Sequence, residues 1–242
     1  MNTLRPPIPK SRPVYPDVYP DSDGKPIADN TLQYDWIATI KWNLEHLAAP
    51  RDDVFVAADN LIYPVEGDPS IRQAPDVYVA FGRPKGYRGS YKVWEEVGIF
   101  PQVIFEVWSP NNTVGEMDRK REWYERYGAE EFYLIYPYRK PNARGWWRSE
   151  GTLTPIPESN GFVSPLLGVR FHSTDTALTL YGPDGQPFRT PAEIAATEEA
   201  QRRQAEAERQ RADAEKQRAD AEKQRADALA AKLRALGVNP DA

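Results

Sequence analysis

Between residues 31 and 49 large apolar side chains return every three or four positions, at Leu32, Trp36, Ile40, Leu44 and Leu47. That spacing predicts an amphipathic helix, and Asp29, Asn30 or Thr31 can cap its start. The period then shortens: DVFVAADNLIYP (53–64) and DVYVAFG (76–82) read as strands. A Gly/Pro/basic loop follows, GRPKGYRGSYKVWEEVG, with a short helical turn expected near Trp94. In PQVIFEVWSPNN (101–112), Val103, Phe105 and Val107 alternate with Ile104, Glu106 and Trp108. Both faces of that run are apolar except at one position, the pattern of a strand covered on both sides. TVGEMDRKREWYERYG reads as a helix, with Thr113 and Glu116 as a capping box and Gly128 as its stop. FYLIYP (132–137) is a further apolar strand, and short strands and turns between 145 and 187 would extend or cover one side of the sheet. The order predicts an α/β fold, a mixed sheet flanked by helices with added hairpins.

The ends differ from this middle. Residues 1–28 are Pro-rich and aperiodic and read as an extended arm, so the globular domain is expected over 29–190. From 191 to 238 the chain reads as one long charged helix, repeating ADAEKQR at 212–218 and again at 219–225. Its i,i+4 acid–base pairs support a free-standing helix. A heptad seam runs through Ala212, Ala219 and Ala226, is interrupted by Glu215 and Glu222, and becomes apolar at Leu229, Leu233 and Leu236. A coiled coil pairing two copies of the chain, most simply a dimer, is therefore expected beside the free-standing alternative.

Composition removes several classes of function. The 242 residues contain no Cys and two His, His46 and His172, which leaves neither a thiolate metal site nor a histidine-based triad in view. No run of eighteen apolar residues suggests a membrane span, and the N-terminus lacks the apolar stretch of a secretory signal, so a cytoplasmic protein is expected. The net charge of −5 does not advertise a nucleic-acid binder. Distribution changes that picture: of 21 Lys and Arg before residue 192, twelve fall in the windows 83–92, 119–126 and 139–148. Arg83, Lys85, Arg88, Lys92 and Arg121, interleaved with aromatic residues such as Tyr87, Tyr91, Tyr138, Trp146 and Trp147, are candidate contacts to a DNA backbone. Solvated loop charge is the plainer account of the same windows.

Glu106 is the position that asks for chemistry. A carboxylate out of water costs several kcal/mol unless it is paired, hydrogen-bonded or bound to metal. Asp76 follows Pro75 at the mouth of an upstream strand, and if the two strands are neighbours the carboxylates meet at one edge of the sheet. Two such groups repel, raising a pKa or recruiting a cation. With oxygen ligands alone that cation is Mg²⁺ or Mn²⁺. Measured from Met117 at about 100° per residue, Tyr124 lies near −20°, Tyr127 near −80° and Lys120 near −60°. Lys120 thus sits within the apolar stripe, while Asp118, Arg119, Glu122 and Arg126 take the outer face. It either snorkels outward or turns its amine toward Glu106 and a bound phosphate.

An Asp after Pro, a Glu in a buried strand about thirty residues on and a Lys on the next helix resemble the PD-(D/E)XK nuclease superfamily, and most closely its restriction-endonuclease family called Uma-two. The family's course is PD, then E-hydrophobic-x-S-P, then K-x-x-x-Y-x-x-x-G and an E-rich, aromatic strand. Its counterparts here are Pro75-Asp76, Glu106-Val107-Trp108-Ser109-Pro110, Lys120, Tyr124, Gly128 and Glu131-Phe132-Tyr133. The resemblance spans roughly residues 27–190, and a charged heptad tail recurs among relatives. It implies a restriction-endonuclease-like core in which Asp76 and Glu106 hold Mg²⁺ and the metal activates water against a phosphodiester.

One departure stands out: the superfamily's Lys two residues after the Glu is here Trp108. Either Lys120 has taken over from the helix or the hydrolytic step is impaired. Glu116 is another ligand candidate, although capping explains it more cheaply. Gln33 and Asp29, on the core-facing side of the first helix, are supporting candidates. Ser109 is expected to end the strand and cap the turn, within reach of phosphate. Two functions follow: a Mg²⁺-dependent DNA endonuclease, or an inactive nuclease-fold module that binds DNA or protein and is oligomerised by its tail. A glycosidase with paired carboxylates is a third, and the Lys and the family pattern count against it.

Overall fold

The structure, a computed structural model, describes residues 19–24, 26–158 and 160–235. It divides into two units, with the boundary between Thr190 and Pro191. In the first unit, helix α1 (Thr31–Leu47) precedes β1 (Val54–Ala57), β2 (Ile62–Tyr63), β3 (Val77–Phe81), β4 (Tyr91–Lys92) and β5 (Val103–Val107). Helix α2 (Val114–Tyr127) leads into β6 (Glu131–Tyr136), β7 (Asn142–Ser149), β8 (Thr152–Pro155), β9 (Arg170–Ser173) and β10 (Leu178–Tyr181). The second unit is helix α3 (Pro191–Ala235).

Six strands form the central sheet in the order β1-β3-β5-β6-β7-β8. Only β5 and β6 run parallel, because α2 carries the chain from the end of one to the start of the other; every other pair is antiparallel. Side chains alternate across the sheet. Val77, Val79, Val103, Phe105 and Val107 pack with Ile37, Ile40 and Leu44 of α1 and with Phe171 and Leu180 of the β9–β10 hairpin. Tyr78, Ala80, Ile104, Phe132 and Leu134 pack with Met117 and Tyr124 of α2 on the other face. Strand β5 lies between the two layers, which explains its unbroken apolar reading and the 2% exposure of Glu106.

Several expected details shift. Asn30 caps α1, its side chain accepting the Gln33 amide. The buried face of that helix is Gln33, Ile37, Ile40 and Leu44, so the predicted stripe was one position out of phase at its start, and Leu32 is 39% exposed. The predicted strand 53–64 is two strands in different sheets, since β2 pairs with β4. The chain breaks between them at Asp59, a non-glycine residue at φ +50°. Around Trp94 the chain makes turns, and β4 lies just before them. Thr113 accepts the Glu116 amide and Gly128, at φ +115°, closes α2 in the left-handed conformation that glycine adopts without a steric penalty. Of the Pro-rich arm, residues 1–18 lie outside the described ones. Tyr19 packs its ring 5.1 Å from Tyr63 and 5.0 Å from Trp94, and Pro20 accepts a hydrogen bond from the Tyr63 hydroxyl at 2.6 Å.

Candidate active site

Register places the two carboxylates. Val77 of β3 stands opposite Phe105 of β5, so the antiparallel pairing sets Asp76 opposite Glu106 on the α2 face. Asp76 is held by its own neighbour strand: the Val107 amide donates to its Oδ2 at 2.6 Å. Glu106 is engaged at both oxygens by one helix. Lys120 donates from Nζ to Oε2 at 2.9 Å, and the Tyr124 hydroxyl donates to Oε1 at 2.6 Å. Lys120 and Tyr124 are four residues apart on α2 and so lie one above the other, which is why a single helix supplies both donors.

Trp108 is on the same face of β5 as Glu106, two residues on, and its ring stacks on Tyr136 at 5.3 Å. The amine that meets Glu106 comes from Lys120 of α2.

The electrostatics follow from burial. Desolvation first, and then the Glu106 charge, push the Asp76 carboxyl up to about 8 against the opposing pull of Lys120 and the Val107 amide. Burial alone lowers the Lys120 ammonium, yet Glu106 beside it, with Asp76 and Glu116, outweighs that and holds it above its ordinary value. The Tyr124 hydroxyl is driven well up by burial and by Glu106, so it remains a donor.

A second network braces the site from the α1 side. Gln33 donates from Nε2 to the Val107 carbonyl at 3.1 Å and accepts the Asp29 amide at 2.8 Å. Asp29 in turn accepts the Ser109 hydroxyl at 2.5 Å. Ser109 is fully buried just after β5, exchanges hydrogen bonds with Asn112 in the turn that follows, and through Asp29 ties the end of β5 to the start of α1. Asp29 precedes α1 and does not lie on its core-facing side.

Of these groups Asp29, Gln33, Asp76 and Lys120 line a pocket of about 480 Å³, together with Asp23, Asp59, Glu116 and Arg119, while Glu106 is not part of its lining. Arg119 and Asp59 were not anticipated. Arg119 was assigned to the outer face of α2, and Asp59 was hidden inside a supposed strand; the ADN break in VFVAADNLIY was the available signal. Asp59 is itself raised, by burial and then by Asp23, with Lys120 opposing. A slightly larger hollow, about 530 Å³, lies beside β1 and the loop at Lys85–Arg88, and it contains neither Asp76 nor Glu106.

The five bases singled out for DNA are largely occupied. Arg83 pairs with Glu96 at 2.7 Å and Arg88 with the same carboxylate at 2.5 Å. Arg88 also covers the ring of Phe55 at 3.9 Å. Lys85 donates to the Ala49 carbonyl, Lys92 pairs with Glu95, and Arg121 pairs with Glu125 while facing Trp146. Tyr91, one of the interleaved aromatics, is fully buried; Tyr87 is 94% exposed.

Among the described residues no three His, Cys, Asp or Glu side chains group as a metal cage. Asp76 and Glu106 nonetheless suit magnesium, which takes one or two carboxylates and keeps several waters, and do not suit a zinc site closed by protein ligands.

A structure described as "a putative nuclease belonging to DUF820 from Anabaena variabilis ATCC 29413" is similar over 56% of this chain and 72% of its own, at 12% identity and a TM-score of 0.43. No curated protein matches the chain. The family model described as "Uma2: Putative restriction endonuclease" matches residues 25–158, ending before β9 and β10 and so short of the 190 expected from sequence. That match covers more than half of the 242 residues and contains Asp76, Glu106 and Lys120, and the chain belongs to the Uma2 family.

Proposed function

We propose that this protein is a metal-dependent nuclease that hydrolyses phosphodiester bonds of DNA. The observation that carries the reading is the juxtaposition of Asp76 and Glu106 across one strand pair, with the Lys120 amine on Glu106 at 2.9 Å. Asp76 and Glu106 would hold Mg²⁺ or Mn²⁺. When bound, such an ion supplies a nucleophilic water at neutral pH and offsets charge on the phosphoryl oxygens. The chain's own residues do the rest. Lys120 sets the orientation of Glu106 and brings positive charge to the pocket where negative charge grows in the transition state. Tyr124 fixes the other oxygen of Glu106. The Val107 amide fixes Asp76, and Gln33 holds the following peptide in place.

The test is cleavage of a mixture of duplex and single-stranded DNA with Mg²⁺ or Mn²⁺, against the same mixture in EDTA. Fragments are expected with metal, none in EDTA, and none from Glu106→Gln or Asp76→Asn protein whose circular dichroism is unchanged. Cleavage that survives in either variant removes that residue from the mechanism.

A second reading, a nuclease-fold module without turnover, draws on one specific observation: both oxygens of Glu106 already accept hydrogen bonds within the protein. It expects DNA binding with no fragments at any concentration of either metal.

A further inference from the structure

The pocket beside Asp76 is small, and among the described residues its lining holds five carboxylates and two bases, Arg119 and Lys120. One wall is the segment before α1, which contributes Asp23, Pro26, Ile27 and Ala28. That segment is tied down at both ends: Tyr63 donates to the Pro20 carbonyl, the Gly67 amide donates to the Tyr19 hydroxyl, and Ser109 donates to Asp29. A volume of about 480 Å³ is that of a site for one small molecule. Continuous duplex, by contrast, is bound on an extended and strongly positive surface, typically burying about 1,000–2,500 Å² of protein.

Most of the bases singled out from the sequence are turned to partners within the protein, while among the described residues Arg126, Arg139, Lys140 and Arg144 are exposed elsewhere on the surface. Arg83, Arg88, Lys85, Lys92 and Arg121 are engaged within the protein, and Lys120 is on Glu106. Arg119 is different. It lines the pocket, is exposed, and makes no hydrogen bond or ion pair with any described residue. Its guanidinium lies along the first turn of α2, 3.5 Å from where a Cβ on Gly115 would stand.

We propose that the pocket admits one nucleotide of an unpaired strand or frayed end, with Arg119 contacting its phosphate, and that continuous duplex is excluded; this rests on the nuclease reading above. A planar guanidinium holds a phosphate through two parallel hydrogen bonds, which positions the phosphodiester as well as attracting it. An unpaired strand reaches into a walled pocket one residue at a time, whereas a paired nucleotide must first leave its stack.

The experiment uses the full chain and a fluorescein-labelled twelve-nucleotide strand, in EDTA and again with Ca²⁺, with relaxed closed-circular duplex as competitor. The circle is expected to compete at least tenfold less well per nucleotide than unlabelled strand. Arg119→Ala is expected to weaken strand binding about tenfold and to lower the slope of log affinity against log salt by about one, with Arg119→Lys restoring the slope but only part of the affinity, since an ammonium keeps the charge and loses the paired hydrogen bonds. Equal competition by the circle, or strand binding by Arg119→Ala with unchanged affinity and slope, overturns this inference alone. Failure of the wild-type chain to bind the strand under either condition, with no fragments in the cleavage test, overturns it together with the nuclease reading.

Discussion

At the residue scale the central fact is a carboxylate at 2% exposure whose compensation comes from two donors on one helix. Removing one partner of a buried ion pair leaves the other charge unpaired and typically costs about 3–5 kcal/mol. Lys120 is 20% exposed, so the lower end applies: Lys120→Met is expected to lose about 3 kcal/mol in urea unfolding at pH 7. Adding Glu106→Gln to it should return much of that loss, since the uncompensated charge is gone. A loss under 1 kcal/mol in the single variant would show that Glu106 is not held by this amine. Asp76 carries a pH signature of its own. With its carboxyl raised from 3.8 to about 8, the folded chain binds a proton that the unfolded chain has released between those values. The stability contributed by this group is therefore complete below about pH 4 and is lost as pH rises toward 8. Metal-free protein should accordingly become easier to unfold by urea from pH 5 to pH 8. Asp76→Asn should flatten that decline. Parallel curves for the two proteins would contradict it.

At the element scale each secondary structure had to be read with its partners. Helix α2 was legible because everything that defines it is local: Thr113, Gly128 and the spacing of Met117, Lys120 and Tyr124. The pairing of Asp76 with Glu106 was legible as a possibility, since Pro75-Asp76 and a lone acid in an apolar run are visible in one dimension. Helix α1 was legible in part: Gln33 is buried on the core-facing side as expected, but the apolar stripe was started at Leu32 because hydrophobic periodicity gives no weight to a core position used for a hydrogen bond, here to the Val107 carbonyl. The basic window at 83–92 misled for the opposite reason. Its partner, Glu96, lies just outside the window, and nothing local says that one acid takes both Arg83 and Arg88. Those two guanidiniums, 14% and 12% exposed, staple the loop between β3 and β5. Glu96→Ala strands both, and about 3 kcal/mol of stability should go with it in the same urea assay. A change within 0.5 kcal/mol would return Arg83 and Arg88 to the pool of free surface charge.

At the scale of the whole molecule, both apolar layers are built from residues before Thr190. The last contributors of the core are Leu178 and Leu180, with Phe188 packed against it. Helix α3 begins at Pro191, and among its described side chains the one large apolar group noted as exposed is Leu229, at 60%. Leu236 lies outside the described residues, and the Leu233 side chain is likewise not described. The central sheet thus has an apolar layer on each face built within the first unit, and the helix has local support of its own in the i,i+4 pairing at Arg203–Glu199 and Arg202–Glu206. A chain ending at Thr190 should then unfold in a single thermal transition with a midpoint within about 4 °C of the full-length value, the shift that roughly 1 kcal/mol produces in a domain of this size. The same truncation separates the roles of the two units. If the shortened chain still gives the strand affinity and metal-dependent cleavage of the parent, the chemistry belongs to the first unit alone. If the midpoint drops by 10 °C or more, or falls with dilution in the full chain but not in the shortened one, the helix stabilises the first unit through self-association, and sedimentation of both proteins would show the difference in mass.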